Sequence, residues 1–373
     1  MRIGIDIAQT CTPKAGCGWV AHCLAHEFLR SAPNHDYIWY HHFDSWINTS
    51  NTDGPVCGAS RVEMPFRGMP ADTAMSVWNR IRTDGIIPGA PDIVHAHSFN
   101  APRLSGTKLI FTVHDVGFWT HPEYSTELNR MVCQRGLLDA LANADGFYFT
   151  SEYSRSEFDT MLGGWLTDSG RSVLVHPLAP RHPAPAAEWT PPADGSWLFV
   201  GTLEPRKNLD GLLDAYAIYL QNSESKRPLR IVGSHGWKCE QLVQRILAFQ
   251  PAGFVQHTGY LPEPDLLHEY RHAFALVFPS YHEGFGLPVL EAMQQKLPVI
   301  CSRKSSLAEV GGDAACFVNT ENPKELADAM LRLETDSSLH RDLSAASSAH
   351  ASHFTWESLV HRLIGFYETV LNR

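Results

Sequence analysis

The chain has 373 residues, an apolar fraction of 44% and a formal net charge of −10. At roughly 100–200 residues per domain this length predicts two domains, and the apolar share fits two sizeable cores rather than disorder. The negative balance argues against a nucleic-acid binder, whose phosphate contacts need clustered Lys and Arg.

Met1-Arg2 leads straight into Ile3-Gly4-Ile5-Asp6-Ile7. That is a buried-strand pattern without the h-region or cleavage site of a signal peptide. No run approaches the ~18 apolar residues of a membrane span. A cytoplasmic protein is expected, at most peripheral on the inner face of the plasma membrane. Strands are predicted over 3–8, 37–41, 93–96, 109–113, 146–150 and 172–176, each a short apolar run bounded by Gly, Pro, Asp or Asn. Helical patterns at 19–30 and 127–143 lie between them. Such alternation implies a mostly parallel sheet with helices on both faces.

Several features sit on this first half. Ala15-Gly-Cys-Gly-Trp-Val-Ala21 reads as G-x-G-x-x-A, which raises a dinucleotide-binding alternative. Its glycines stand too far from the first strand, with Pro13 intervening, and no acidic residue closes a second strand at the required place. His22 and His26 lie one helical turn apart beside Cys23, without a third ligand or carboxylate. Cys11, Cys17, Cys23, Cys57, Cys133, Cys239, Cys301 and Cys316 contain no C-x-x-C pair. They signal neither zinc nor a redox dithiol and read as buried small apolar residues. Arg61, Arg67, Arg80 and Arg82 surround Met64, Phe66, Met69, Met75, Val77 and Trp78. This stretch is either an amphipathic helix packed on its own domain or a segment resting on an anionic membrane. Thr112-Val-His-Asp-Val116 ends a strand at the carboxyl edge of the sheet, where ligands bind, so His114 reads as functional rather than as a satisfied core histidine. Asp115 would orient His114 or bind a ligand hydroxyl. His95 and His97 read as structural, and Ser151 as a helix N-cap.

Residues 178–192 hold five prolines in fifteen residues. Proline locks φ and removes a donor, so this reads as a stiff connector. The expected organisation is a first domain at 1–178, a Pro-rich linker at 179–196 and a second domain at 197–353. A C-terminal helix at 354–373, apolar at helical spacing, is expected to pack back on the first domain. In the second domain strands are predicted at 197–200, 229–232, 255–258, 275–279, 299–301 and 315–318. Helices are predicted at 209–221, 239–249, 263–273, 288–294 and 323–333.

The motifs of this half carry the chemistry. Phe278-Pro-Ser-Tyr-His-Glu-Gly-Phe-Gly-Leu-Pro-Val-Leu-Glu-Ala-Met293 reads as a strand end, a glycine loop and a helix opened by Pro288. The backbone N–H groups of Gly284, Phe285, Gly286 and Leu287 would meet a phosphate at that helix start. Glu283 and Glu291, with seven residues between them, would hold sugar and ribose hydroxyls. The bland reading is a Gly-capped helix with two solvated glutamates. Phe199-Val-Gly-Thr-Leu-Glu-Pro-Arg-Lys-Asn-Leu209 reads as strand, loop, helix. Two cations at a helix start oppose its dipole unless an anion joins them, which points Arg206 and Lys207 at a diphosphate. Ile231-Val-Gly-Ser-His-Gly-Trp237 and Thr258-Gly-Tyr-Leu-Pro-Glu263 are strand-end turns.

These strings resemble the family 4 retaining glycosyltransferases, most strongly from Leu198 to Val310. The resemblance implies an α/β chain of the GT-B fold, two Rossmann-like doubly wound domains facing each other across a cleft. It implies Glu283 near the transferred sugar and Glu291 on the nucleotide ribose. Lys207 would bind the pyrophosphate. Thr202 stands where many members carry an arginine, so Arg206 takes that role here. Tyr260 and Leu261 would touch the nucleobase through their backbone, and Gly16 and Gly18 would approach the donor phosphates. His114 would contact the transferred sugar or the acceptor. The Glu-Pro-Arg-Lys-Asn form of the loop resembles mannosyltransferases of O-antigen or exopolysaccharide synthesis. GDP-mannose is therefore the expected donor and a lipid-linked saccharide the expected acceptor. A UDP-sugar is the alternative. Front-face substitution without a protein nucleophile is implied, and no D-x-D motif calls for a metal; no cofactor beyond the nucleotide sugar is expected. A phosphorylase would need a pyridoxal lysine in a longer chain, and an inactive scaffold would not need Lys207, Glu283 and Glu291.

Overall fold

The computed structural model describes residues 1–10, 14–48, 61–185, 192, 194–249 and 252–373. The chain divides into two compact units, Met1–Leu178 together with Thr355–Arg373, and Ala179–Phe354.

In the first unit the strands are β1 (Arg2–Asp6), β2 (Asp36–Tyr40), β3 (His42–Phe43), β4 (Trp46–Ile47), β5 (Val62–Glu63), β6 (Ile93–Ala96), β7 (Lys108–Val113), β8 (Gly146–Phe149) and β9 (Ser172–Val175). β3 and β4 form a small antiparallel pair. The rest make one parallel sheet in the order β5-β2-β1-β6-β7-β8-β9. Ile3, Ile5, Trp39, Ile93, Val94 and Phe147 are fully buried, as strands covered on both faces require. The order turns back at β1, which makes a switch point at the carboxyl ends of β1 and β6. Asp6 closes it. Its carboxylate accepts from the Ala8, His97 and Ser98 N–H groups and from the Ser98 hydroxyl. This ends β1 two residues earlier than predicted, because the Ala8 contact opens a short turn at Ala8–Thr10.

The basic and apolar stretch resolves toward its own domain. Phe66, Trp78 and Ile81 are buried, Met69 and Val77 pack on the same core, and Arg80 and Arg82 point outward from the helix Ala71–Asp84. The last helix, Trp356–Leu371, is capped by Thr355 and belongs to the first unit. Leu359, Val360, Leu363 and Tyr367 are buried, and the Tyr367 hydroxyl meets His95 Nδ1 at 2.5 Å. Of the described cysteines only Cys239 and Cys301 are buried, so the expectation of buried thiols fails for Cys17, Cys23, Cys133 and Cys316.

The second unit holds β10 (Ser196–Val200), β11 (Leu229–Val232), β12 (Val255–Gly259), β13 (Ala273–Phe278), β14 (Val299–Ser302) and β15 (Cys316–Val318). They pair in parallel in the order β12-β11-β10-β13-β14-β15. The switch point falls between β10 and β13, whose following loops are the two motif-bearing strings. The predicted helices form within two residues of their expected ends. The helix Ser337–Ala351 escaped prediction: it is serine-rich and buries only His340, Ser347 and Ala351. The Pro-rich stretch is not a free connector over its described part. Ala179 and Pro180 are buried, and residues 179–185 belong to the second unit.

Candidate functional site

β10 ends at Val200, and the next residues run along the Ile231–Trp237 loop. Gly201 N–H donates to Val232 O and Leu203 N–H to Ser234 O. The backbones are so close that a Cβ on Gly233 would lie 1.9 Å from Gly201 O. A single turn, Pro205–Lys207, then leads to Asn208 at φ 53, which caps the helix Leu209–Asn222 by accepting from Gly211 N–H. The Asn208 amide donates to Pro279 O and Thr320 O, pinning this loop to the ends of β13 and β15.

The pinned loop brings three of the predicted residues together. Lys207 Nζ lies 2.6 Å from Glu283 Oε1, and Arg206 Nη1 lies 2.6 Å from Glu283 Oε2. Arg206 also donates to His282 O at 3.0 Å, and its Nε lies 2.7 Å from Glu204 Oε1. Glu283 and Lys207 are buried, whereas Arg206 keeps 27% of its side chain exposed. Burial opposes ionisation of Glu283, but Arg206 and Lys207 outweigh it and hold its pKa at about 2. Burial and the neighbouring Arg206 lower the Lys207 pKa, against the pull of Glu283 and Glu204. Arginine and lysine converging on one point are the donor types that bind a multivalent anion.

Glu283 is itself fixed from the β14 side. Its N–H donates to Ser305 Oγ, and the Ser306 hydroxyl reaches Glu283 O and Phe285 O. Gly286 caps the helix Leu287–Gln294 at φ 105, where a Cβ would come within 2.5 Å of Leu307. At this helix start Pro288 has no N–H and the Val289 and Leu290 N–H groups donate to Gly286 O, so the Leu287 N–H is the helical one left without an intrahelical acceptor.

Glu291, expected to hold the nucleotide ribose, is engaged by side chains of its own unit. Its side chain is completely enclosed. Arg181 grips both carboxylate oxygens, and the Tyr270 hydroxyl donates to Oε2 at 2.9 Å. Burial disfavours the Arg181 cation, but Glu291 overrides this and raises its pKa. Glu291 shares no described contact with the Lys207 cluster. Thr202 lies half-buried beside the Gly236 turn, its methyl 2.7 Å from where a Gly236 Cβ would stand. Tyr260 is exposed and Leu261 half-buried, just after β12 and two strands from the switch point.

In the first unit Gly16 and Gly18 fall in the opening turn of the helix Gly16–Ser31. A Cβ on Gly18 would lie 2.2 Å from Gln9 O, while Gly16 is open. His114 follows β7; its Nε2 lies 3.0 Å from His97 O, and its ring bonds the Cys17 side chain. Burial works against the charged ring. Cys17, the His97 carbonyl and Asp115 together bring its pKa up to about 9. Asp115 accepts from Gly117 N–H and so opens the short helix Gly117–Thr120, acting on His114 through its charge. His95 is enclosed between Tyr367 and Thr112.

Comparison with known proteins gives this arrangement its family. A model described as "Glycosyl transferases group 1" matches residues 191–350. The O-antigen chain mannosyltransferase B of Escherichia coli is 32% identical over 284 residues, 74% of this chain and 74% of that protein. The chain belongs to the group 1 glycosyl transferases. A second relative, the serotype-specific mannosyltransferase WbdA of Escherichia coli, is 30% identical over 189 residues, 47% of this chain but 22% of that protein. Among solved structures, sucrose-phosphate synthase of Thermosynechococcus elongatus superposes with a TM-score of 0.72 at 17% identity, covering 100% of this chain and 99% of that one. WaaG, a glycosyltransferase of lipopolysaccharide biosynthesis, does so at 0.64 and 16%, covering 97% and 98%. These likenesses carry the GT-B fold, with two Rossmann-like units.

Three residues in these contacts were not singled out from the sequence. Glu204 lies inside the quoted Glu-Pro-Arg-Lys-Asn string but anchors Arg206 only in three dimensions. Arg181 sits in a proline run with no motif around it. Tyr270 looks like any apolar-face aromatic of the helix Glu263–His272.

Proposed function

We propose that this glycosyltransferase moves mannose from GDP-mannose to a saccharide or lipid-linked saccharide in polysaccharide synthesis, with retention of anomeric configuration and without a metal. The Arg206–Lys207–Glu283 cluster at the switch point carries the reading. A donor diphosphate would take over the two cations and meet the helix start at Gly284–Leu287. Glu283, released from them, would accept hydrogen bonds from the sugar. Glu291 would reach a ribose only by sharing its carboxylate with Arg181. Thr202 and the backbone at Tyr260 and Leu261 complete the donor set. Gly16 and Gly18 are assigned to the donor phosphates, His114 to the transferred sugar, and Asp115 to an acceptor hydroxyl. The names of the two Escherichia coli mannosyltransferases support mannose and an O-antigen-type product.

In the reaction the bond from the sugar C1 to the diphosphate oxygen breaks. A bond from C1 to the acceptor oxygen forms on the same face, and the acceptor proton passes to the departing diphosphate. The protein supplies position and charge: Lys207 and Arg206 stabilise the leaving diphosphate. The test is nucleotide release from GDP-mannose, UDP-glucose and UDP-N-acetylglucosamine, with and without EDTA, with the product anomer read by NMR. GDP-mannose is expected to turn over in EDTA. Silence with every donor sinks the enzyme reading, preference for a UDP-sugar sinks mannose transfer, loss in EDTA sinks metal independence, and an inverted anomer sinks retention.

A further inference from the structure

Glu291 is the more enclosed of the two donor-site glutamates, with none of its side chain exposed. Among the described residues three donors fill its carboxylate. Arg181 Nε and Nη2 take one oxygen each, and the Tyr270 hydroxyl, 2.9 Å from Oε2, takes a further place there. A carboxylate offers about four lone-pair sites, so these three donors leave about one, whereas the two hydroxyls of a ribose need two. A diol therefore cannot be added to the existing donors. Sharing of this carboxylate has to be an exchange, in which the diol takes a place that a side chain gives up.

Arg181 is the side chain suited to that exchange. Its fork presents two N–H groups side by side to one carboxylate, as a ribose diol presents two O–H groups. A second acid is at hand for the displaced guanidinium. Glu263 Oε1 lies 4.0 Å from Arg181 Nη1, beyond hydrogen-bond reach but within ion-pair distance, and Glu263 keeps 40% of its side chain exposed. After the exchange Glu291 again has three donors, the diol and Tyr270, so no enclosed charge is left bare. The cation meanwhile moves toward an acid that water also reaches. The backbone need not follow: Ala179 and Pro180 are buried, and Pro183 O accepts from the Gln295 amide at 2.8 Å. The movement required is a rotation of one side chain.

We propose that Arg181 stands in for the ribose on Glu291 while the nucleotide site is empty, and that the diol of a nucleoside diphosphate displaces it. The proposal rests on the donor reading of Glu291 and adds the residue that has to move. Arg181 is thus a positioning residue. It keeps an enclosed carboxylate paired, one turn into the helix Leu287–Gln294, until the substrate supplies its own donors.

The experiment is calorimetric binding of GDP, and of dideoxy-GDP lacking both ribose hydroxyls, to the full chain. If UDP binds more tightly than GDP, the same pair is made with UDP. In the parent chain the two nucleotides are expected to bind with similar affinity, because the contacts of the diol are offset by those Arg181 gives up. Arg181→Lys keeps the charge but not the fork. In that variant the preference for the nucleotide with a diol is expected to widen at least ~10-fold, the scale of one hydrogen bond to a charged group. Equal changes in both affinities overturn the proposal, since a merely structural arginine acts on both nucleotides alike. Crystal structures of the parent chain with each nucleotide give a second reading that needs no variant. Arg181 is expected to be off Glu291 with GDP and still on it with dideoxy-GDP. Both N–H groups of Arg181 on Glu291 in the GDP complex overturn the exchange. The diphosphate on Lys207 in that same complex would leave the rest of the donor reading standing. Absence of binding by GDP and by UDP sinks the donor reading and the exchange together.

Discussion

Lys207 Nζ and Glu283 Oε1 meet at 2.6 Å across 76 residues of chain, each buried and each the other's counter-charge. On the donor reading proposed above, this carboxylate holds the cation that a leaving diphosphate would take over. Lys207→Ala is expected to lower kcat/KM for GDP-mannose by ~100-fold or more, the loss of a charge acting on the transition state. His235→Ala, on the adjoining loop, is expected to stay near the parent value. Comparable losses from both, measured by nucleotide release, would show that the phosphate site lies elsewhere.

His114 and Glu283 set opposite pH limits. The folded His114 pKa, about 9, lies above the ordinary 6.5. Its contribution is fully present below pH 6.5 and lost as pH rises toward 9. The folded Glu283 pKa, about 2, lies below the ordinary 4.5, so its contribution is present above pH 4.5 and lost as pH falls toward 2. Tm is therefore expected to fall on both sides. His114→Gln should flatten the alkaline limb and Glu283→Gln the acid limb. An alkaline limb unchanged in His114→Gln would refute the assignment.

Arg181 and Glu291 form a two-toothed ion pair with no solvent-exposed carboxylate surface. Arg181→Met leaves that carboxylate enclosed with Tyr270 as its one hydrogen-bond partner among the described residues, and is expected to cost ~3–5 kcal/mol in denaturant unfolding. Adding Glu291→Gln should return part of the loss. Strict additivity of the two losses would mean that the pair is not coupled.

Two glycines predict opposite signs. Gly233→Ala drives a Cβ into Gly201 O at φ 150 and is expected to destabilise by at least ~2 kcal/mol and to displace Thr202. Gly365 is exposed inside the helix Trp356–Leu371 with nothing near its Cβ position, and Gly365→Ala should stabilise by ~0.5–1 kcal/mol. Thermal unfolding of both variants checks the pair.

The parallel sheets were legible because each strand is a short, doubly covered apolar run, and apolar runs between turn residues need no three-dimensional information. The strand–loop–helix setting of Glu283 and Lys207 was legible for the same reason, with Gly286 and Pro288 marking the helix start. What escaped is long-range pairing. Arg181 and Glu291 are 110 residues apart, and nothing near either one specifies the other. The helix Ser337–Ala351 escaped because serine and alanine leave no apolar period to read. The thiol of Cys17 beside His114 escaped because its setting depends on how the helix Gly16–Ser31 meets the end of β7.

The return of Trp356–Leu371 to the first unit bears on biosynthesis. Residues 179–354 emerge from the ribosome complete, able to close their own sheet at once. The first unit, although made earlier, waits: His95 meets the Tyr367 hydroxyl only when the last turns of the chain are translated. Until then Phe28 lacks the ring it stacks against and His95 the ring it meets edge-on. A chain cut short between residues 354 and 367 carries a complete second unit attached to an unfinished first one, a species for chaperones and proteases to find.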